Sequence, residues 1–221
     1  MKRPAPARFD RVGMPAEEEP MPSGISAYLD EGIALLARMK GSDLDRRVEE
    51  AIDRIATALA AHLPLLVCGN GGSAADAMHI AGELVGRFLL ERPGLKAIAL
   101  GADTAALTAW SNDYGYDSAF ARQVEAYGER GGVLLAISTS GNSKSVIAAC
   151  AAARRLGMST IALTGEGGGK LAACVELLID VPSRSTPRIQ EAHICLYHYI
   201  CQQVEARCAA AFAGRGARTA S

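Results

Sequence analysis

At 221 residues, with a formal net charge of −1, 49% hydrophobic and 21% charged residues, the chain has the composition of one soluble globular domain carrying a tail. That balance excludes the basic footprint of a nucleic-acid binder, and no apolar run approaches the length of a membrane span. Prolines and charges follow Lys2 and Arg3 where a secretory signal would place its apolar stretch, so a cytoplasmic location is expected.

Residues 1–23, rich in Pro, Arg and Glu, read as a disordered tail; 24–207 read as a single domain and 208–221 as a C-terminal tail. Two amphipathic helices open the domain. Ile25, Leu29, Ile33, Leu36 and Met39 mark the first, and Leu44, Val48, Ile52, Ile55 and Leu59 the second. Each is apolar on one face, suited to cover a sheet or to meet another subunit.

From Leu63 strands and helices alternate. The run Leu63–Cys68 is a buried strand, broken by the glycine turn Gly69-Asn70-Gly71-Gly72, with Ser73 placed to cap an alanine-rich helix. A second strand, Leu95–Leu100, leads to a short helix over Asp103–Trp110, and Ser111–Asp117 reads as a polar turn before a helix through Phe120 and Val124. Strands Val133–Ser138, Met158–Gly165 and Val175–Val181 follow. A helix lies between the first two, a glycine-rich turn with a short helix lies between the last two, and a long final helix begins near Ile189. Near-continuous apolar strands joined by helices predict an α/β fold: a three-layer αβα sandwich on a five-stranded parallel sheet, preceded by two N-terminal helices. Six cysteines, with no C-x-x-C pair, read as reduced, buried thiols.

The helix after the glycine turn carries His79 and Glu83 four residues apart, on one face at roughly 40° separation. One ion can touch both; buried without an ion or a mutual hydrogen bond, the pair would be costly. The last helix adds Gln190, Glu191, His193 and His198. Gln190 and His198 are roughly 12 Å apart along its axis, a spacing that by itself does not argue for a shared metal. The loop Ser138-Thr139-Ser140-Gly141-Asn142-Ser143 ends one strand and opens a helix, so hydroxyls and amides face a helix N-terminus. It reads either as a serine-rich capping loop or as a site for the phosphate of a small molecule. A Walker A loop is excluded by Lys144-Ser145 following Ser143. Gly69-Asn70-Gly71-Gly72-Ser73-Ala74 also fits the dinucleotide pattern G-x-G-x-x-A, but Asp103 comes roughly 30 residues on, where an acidic residue about 20 residues on is wanted.

Taken together, CGNGGSAADAMHIAGE, AWSNDYGYD, AISTSGNSKSV and PRIQEAHICLYH resemble the sedoheptulose 7-phosphate isomerases of the sugar isomerase (SIS) domain family, over about Ile25 to Glu205. The resemblance implies a flavodoxin-like SIS fold and one Zn2+ per subunit, held by His79, Glu83, Gln190 and His198. It implies substrate contacts from Asn70, Gly71, Gly72, Glu83, Asn112, Asp113 and Gln190, with the phosphate on Ser138, Thr139, Ser140 and Ser143. Glu83 would be the catalytic base and His198 the acid, in a homotetramer with active sites at subunit contacts. The same family contains a non-catalytic paralogue that associates with the DnaA replication initiator; there the middle residue of the serine loop is basic and the second histidine of the last helix is lost. Ser140 and His198 here point to the enzyme.

Overall fold

The computed structural model describes residues 22–41 and 43–219, with side chains described as far as 214. Most of the expected N-terminal tail therefore lies outside the described residues. The elements are α1 (Ile25–Met39), α2 (Leu44–Ala60), β1 (Leu65–Gly69), α3 (Gly72–Val85), β2 (Ala97–Ala99), α4 (Thr104–Tyr114), α5 (Ala119–Tyr127), β3 (Val133–Ser138), α6 (Lys144–Leu156), β4 (Ser159–Thr164), β5 (Leu177–Asp180) and α7 (Thr186–Thr219). The five strands form one sheet in the order β2-β1-β3-β4-β5, every neighbour parallel. This is the expected three-layer sandwich with two leading helices. Among the described residues no helix is long and apolar enough to cross a membrane.

The strands read as unbroken apolar runs because both faces are covered. Alternate residues divide between two cores. Leu65, Val67, Val133, Leu135, Ile137, Ile161 and Leu163 point toward α2, α3 and α7. Leu66, Cys68, Leu134, Ala136 and Ala162 point toward α5 and α6. The carboxyl ends of β1 and β3 lie side by side, Gly69 opposite Ile137, which sets the glycine turn next to the serine loop.

Four expectations change. Ser73 does not cap α3: the helix starts earlier, at Gly72, the Ser73 N–H is already bonded to the Asn70 carbonyl, and the cap falls to Gly71 at φ +56°. Only part of Ser111–Asp117 is a turn, because α4 continues to Tyr114 before Gly115, at φ +86°, reverses the chain. α4 is held at its start by Asp103, whose Oδ1 accepts the Ala106 N–H at 3.0 Å, a cap worth about 1 kcal/mol. The stretch from 208 is not a separate tail: α7 runs through it, Cys208 is buried and Phe212 stacks on His62. Of the cysteines, Cys68, Cys150, Cys201 and Cys208 are buried, but Cys195 is exposed on α7 and Cys174 is half-buried.

α1 is joined to α7 by polar contacts. Arg188 lies over the Tyr28 ring, 3.6 Å from its centre, and pairs with Glu31 at 2.8 Å and Glu191 at 2.9 Å. Its apolar stripe is uncovered in the single chain: Ile25 is 71% exposed, Leu29 56% and Ile33 64%.

Candidate functional site

The site begins where β1 runs out. α7 lays Gln190 directly on the glycine turn, where a Cβ on Gly72 would fall 2.1 Å from Gln190 Nε2 and would push that side chain aside. Asn70 faces the other way. Its Nδ2 donates to Ser143 Oγ at 2.6 Å and Ser145 Oγ at 3.1 Å, and its Oδ1 accepts from the Tyr116 hydroxyl at 2.5 Å. The glycine turn and the serine loop are thereby stitched together, and Tyr116 fixes which way round the Asn70 amide sits.

The serine loop is shaped by close backbone contact. Gly141 has φ +64°, and a Cβ there would lie 2.0 Å from the Gly168 carbonyl oxygen; only glycine fits. Asn142 Nδ2 donates to the Ser140 carbonyl at 2.8 Å, and its Oδ1 accepts the Lys170 N–H at 3.2 Å. Ser138 is buried at the strand end, Thr139 and Ser143 are half-buried, and Ser140 is exposed. The Ser143 hydroxyl is not used to cap α6, so the loop offers hydroxyls at a helix N-terminus, where the dipole favours an anion.

Along α3 lies the second part. His79 Nε2 and Glu83 Oε1 are 3.0 Å apart, and His198 of α7 closes in edge-on to His79 with ring centres 5.1 Å apart. Ligand atoms of His79, Glu83 and His198 all lie within 4.8 Å of one another. Two imidazoles and a carboxylate are a donor set that suits zinc, so these residues fit the ion. Three of the four residues singled out as metal ligands are thus gathered. The fourth, Gln190, is placed against Gly72, seven residues before His79 on α3. Asn112 and Asp113 lie on the last turn of α4. Asn112 Nδ2 donates to Asp113 Oδ1 at 2.9 Å, both residues are exposed, and Asp113 lines a cavity of about 310 Å³ with Trp110 and Arg122.

Sequence reasoning missed the residues that brace this cluster. Glu205 and Arg92 form an ion pair at 3.2 Å, each side chain 1% exposed. Glu205 accepts the N–H groups of Phe88, Leu89 and Leu90, and Arg92 donates to the carbonyls of Glu83, Leu84 and Gly86. Burial pushes the Glu205 carboxyl up, but the three amides and Arg92 outweigh it and hold it below the usual carboxylate range. Phe88, fixed in this way, stands against the His198 ring. Tyr197 and Asp76 were also missed, although Asp76, His79 and Glu83 share one helix face by spacing alone.

His193 is buried rather than part of the cluster. Its Nε2 donates to the Thr164 carbonyl at 3.2 Å, and among the described residues its Nδ1 has no partner. Burial pushes its pKa down from 6.5 to about 4. Between those values the unfolded chain binds a proton that the native protein does not, so the free energy of unfolding falls as pH drops through this window. Urea unfolding between pH 7 and 4 is expected to show that loss, and His193→Gln, which keeps a donor for Thr164, is expected to remove His193's share of the slope.

Comparison with known proteins agrees with this geometry. The SIS domain family matches residues 27–165, and the chain belongs to that family. It is 51% identical over 178 residues to the phosphoheptose isomerase of Desulfovibrio desulfuricans, covering 80% of this chain and 84% of the relative. The phosphoheptose isomerase of Trichlorobacter lovleyi is 45% identical over 89% of this chain and its own full length. Among solved structures, the phosphoheptose isomerase of Neisseria gonorrhoeae superposes with a TM-score of 0.77 at 43% identity, over 82% of this chain and 97% of that one. Within the SIS class the chain therefore groups with the phosphoheptose isomerases, and it is an enzyme of the sugar isomerase kind.

Proposed function

We propose that the protein is a zinc-dependent ketose–aldose isomerase that converts D-sedoheptulose 7-phosphate to D-glycero-D-manno-heptose 7-phosphate through an enediol. The observation that carries this reading is the convergence of His79, Glu83 and His198 from two helices beside a hydroxyl-lined loop at a helix N-terminus. His79, Glu83 and His198 would hold the ion, one per subunit, with Gln190 completing the set. A bound zinc ion supplies Lewis acidity toward the substrate carbonyl.

The phosphate rests on Ser138, Thr139, Ser140 and Ser143. This fixes the far end of the substrate and sets C1 and C2 near the cluster. Asn70, Gly71, Gly72 and Gln190 contact the sugar hydroxyls; Asn112 and Asp113 are the remaining substrate contacts. Glu83 removes the proton from C1 and returns one at C2, and His198 moves protons between the two oxygens. Glu83 Oε1 is the atom turned to His79, which makes Oε2 the oxygen for the substrate proton.

The protein works in the cytoplasm as a homotetramer whose active sites lie at subunit contacts. The uncovered stripe of Ile25, Leu29 and Ile33 supports an assembly, since apolar side chains at that exposure gain from a second surface. The test is metal analysis together with turnover of sedoheptulose 7-phosphate before and after chelation. The purified protein is expected to carry zinc, to lose turnover on chelation and to regain it with added zinc. Undiminished turnover after the ion has been removed would reject the zinc-dependent mechanism, and absence of any aldose product from the zinc-loaded protein would favour a binding module of the initiator-associating type.

A further inference from the structure

We propose that Tyr197 and Asp76 act as a relay of positioning residues that decides which ring nitrogen of His79 is offered to the cation; the inference rests on the cation reading above. The Tyr197 hydroxyl lies 2.9 Å from His79 Nδ1, with the two rings edge-on at 5.4 Å. The other nitrogen, Nε2, faces Glu83 and the centre of the cluster. A neutral imidazole has one donor and one acceptor nitrogen. For Nε2 to present its lone pair, Nδ1 must carry the proton and must find an acceptor for it. The Tyr197 oxygen is that acceptor only if the hydroxyl's own proton is committed elsewhere.

Asp76 supplies the elsewhere. It stands one turn before His79 on the same face of α3 and is 7% exposed, and in the relay its carboxyl is the acceptor for the Tyr197 O–H. Its Oδ2 has no partner among the described residues, so this hydroxyl is what a costly buried carboxyl has to hold on to. Burial pushes the Asp76 carboxyl up, opposed by that hydrogen bond and by the His79 ring. The hydrogen bonds then run in one direction, from Nδ1–H to the tyrosine oxygen and from the tyrosine O–H to Asp76. Without Asp76 the hydroxyl proton is free to go to Nδ1, and without the Tyr197 hydroxyl the Nδ1 proton has no acceptor; either loss favours the tautomer with its proton on Nε2, which competes with the ion. Tyr197 and Asp76 need not touch substrate to have this effect.

The experiment is a zinc titration of the intact protein at fixed pH, in competition with a chromophoric chelator. Tyr197→Phe keeps the ring in the core and is expected to weaken zinc 10- to 100-fold, in the range found when a partner behind a ligating histidine is lost, and any loss of stability is read separately from the unfolding midpoint of the metal-free protein. Asp76→Leu should weaken zinc to the same degree, whereas Asp76→Asn, which keeps an acceptor oxygen, should stay within about threefold of the parent. The double variant Tyr197→Phe/Asp76→Leu should be no weaker than either single one, because one relay is broken once. Parent-like affinity in a folded Tyr197→Phe protein, with the parent itself binding zinc, overturns the relay alone. A parent protein that takes up no zinc overturns the cation reading and the relay together.

Discussion

Glu83→Gln is expected to lower isomerisation of sedoheptulose 7-phosphate by about 100- to 10,000-fold while leaving the fold intact. Glutamine keeps the size of the side chain and an oxygen for the cluster, but it cannot accept the proton of a carbon acid. The Glu83 side chain is 23% exposed and meets His79 at the edge of the core, so the change opens no cavity. Turnover, circular dichroism and zinc content should be read on the same sample. A second signature separates loss of the base from a poorly bound substrate. In deuterated water at saturating substrate the parent enzyme is expected to exchange the transferred hydrogen with solvent, and the variant to show neither exchange nor product. Near-normal turnover by Glu83→Gln would remove this residue from the role.

Glu205→Ala is expected to cost about 3–5 kcal/mol of stability, the range for breaking a buried ion pair by deleting one partner. The substitution leaves Arg92 as a buried charge and takes the acceptor from the N–H groups of Phe88, Leu89 and Leu90. The penalty comes from the groups left behind more than from the attraction lost. Glu205→Met/Arg92→Met should therefore recover part of the loss in urea unfolding, although it removes more polar groups. Because the folded pKa of Glu205 is held below its ordinary value, its contribution is present at neutral pH and is lost as pH falls through that folded value. A loss under 1 kcal/mol in Glu205→Ala would show that the chain after α3 is braced by other contacts.

Much of the fold was legible because the signals are local. Alternating apolar strands and helices fix the layers, and the strand ends differ from those read in the sequence by at most two residues, with β3 matching at both. The serine loop and the His79–Glu83 pair were legible for the same reason: each lies within a single turn or loop. His198 was different. Spacing along α7 did not by itself argue for a metal shared with Gln190, and only the family resemblance joined His198 to α3. What placed it there is the packing of α3 against α7, which depends on side chains more than a hundred residues apart. Tyr116, Arg92 and Glu205 were missed because each acts through contacts distant in sequence. The cap at Ser73 failed because α3 starts earlier, at Gly72, with the Ser73 N–H already bonded to the Asn70 carbonyl, a turn geometry that side-chain preferences do not encode.

α7 is one uninterrupted rod from Thr186 to Thr219, and it carries Arg188, Gln190, His193, Tyr197, His198 and Glu205. Each residue of axial slip would move all of them by about 1.5 Å in unison, so Gln190, His198 and the Glu205 brace behind the α3–β2 connection share a single mechanical register. Arg188 at one end and Glu205 toward the other act as the two pins of that register. Damage at either pin would displace Gln190, Tyr197 and His198 without altering any of them.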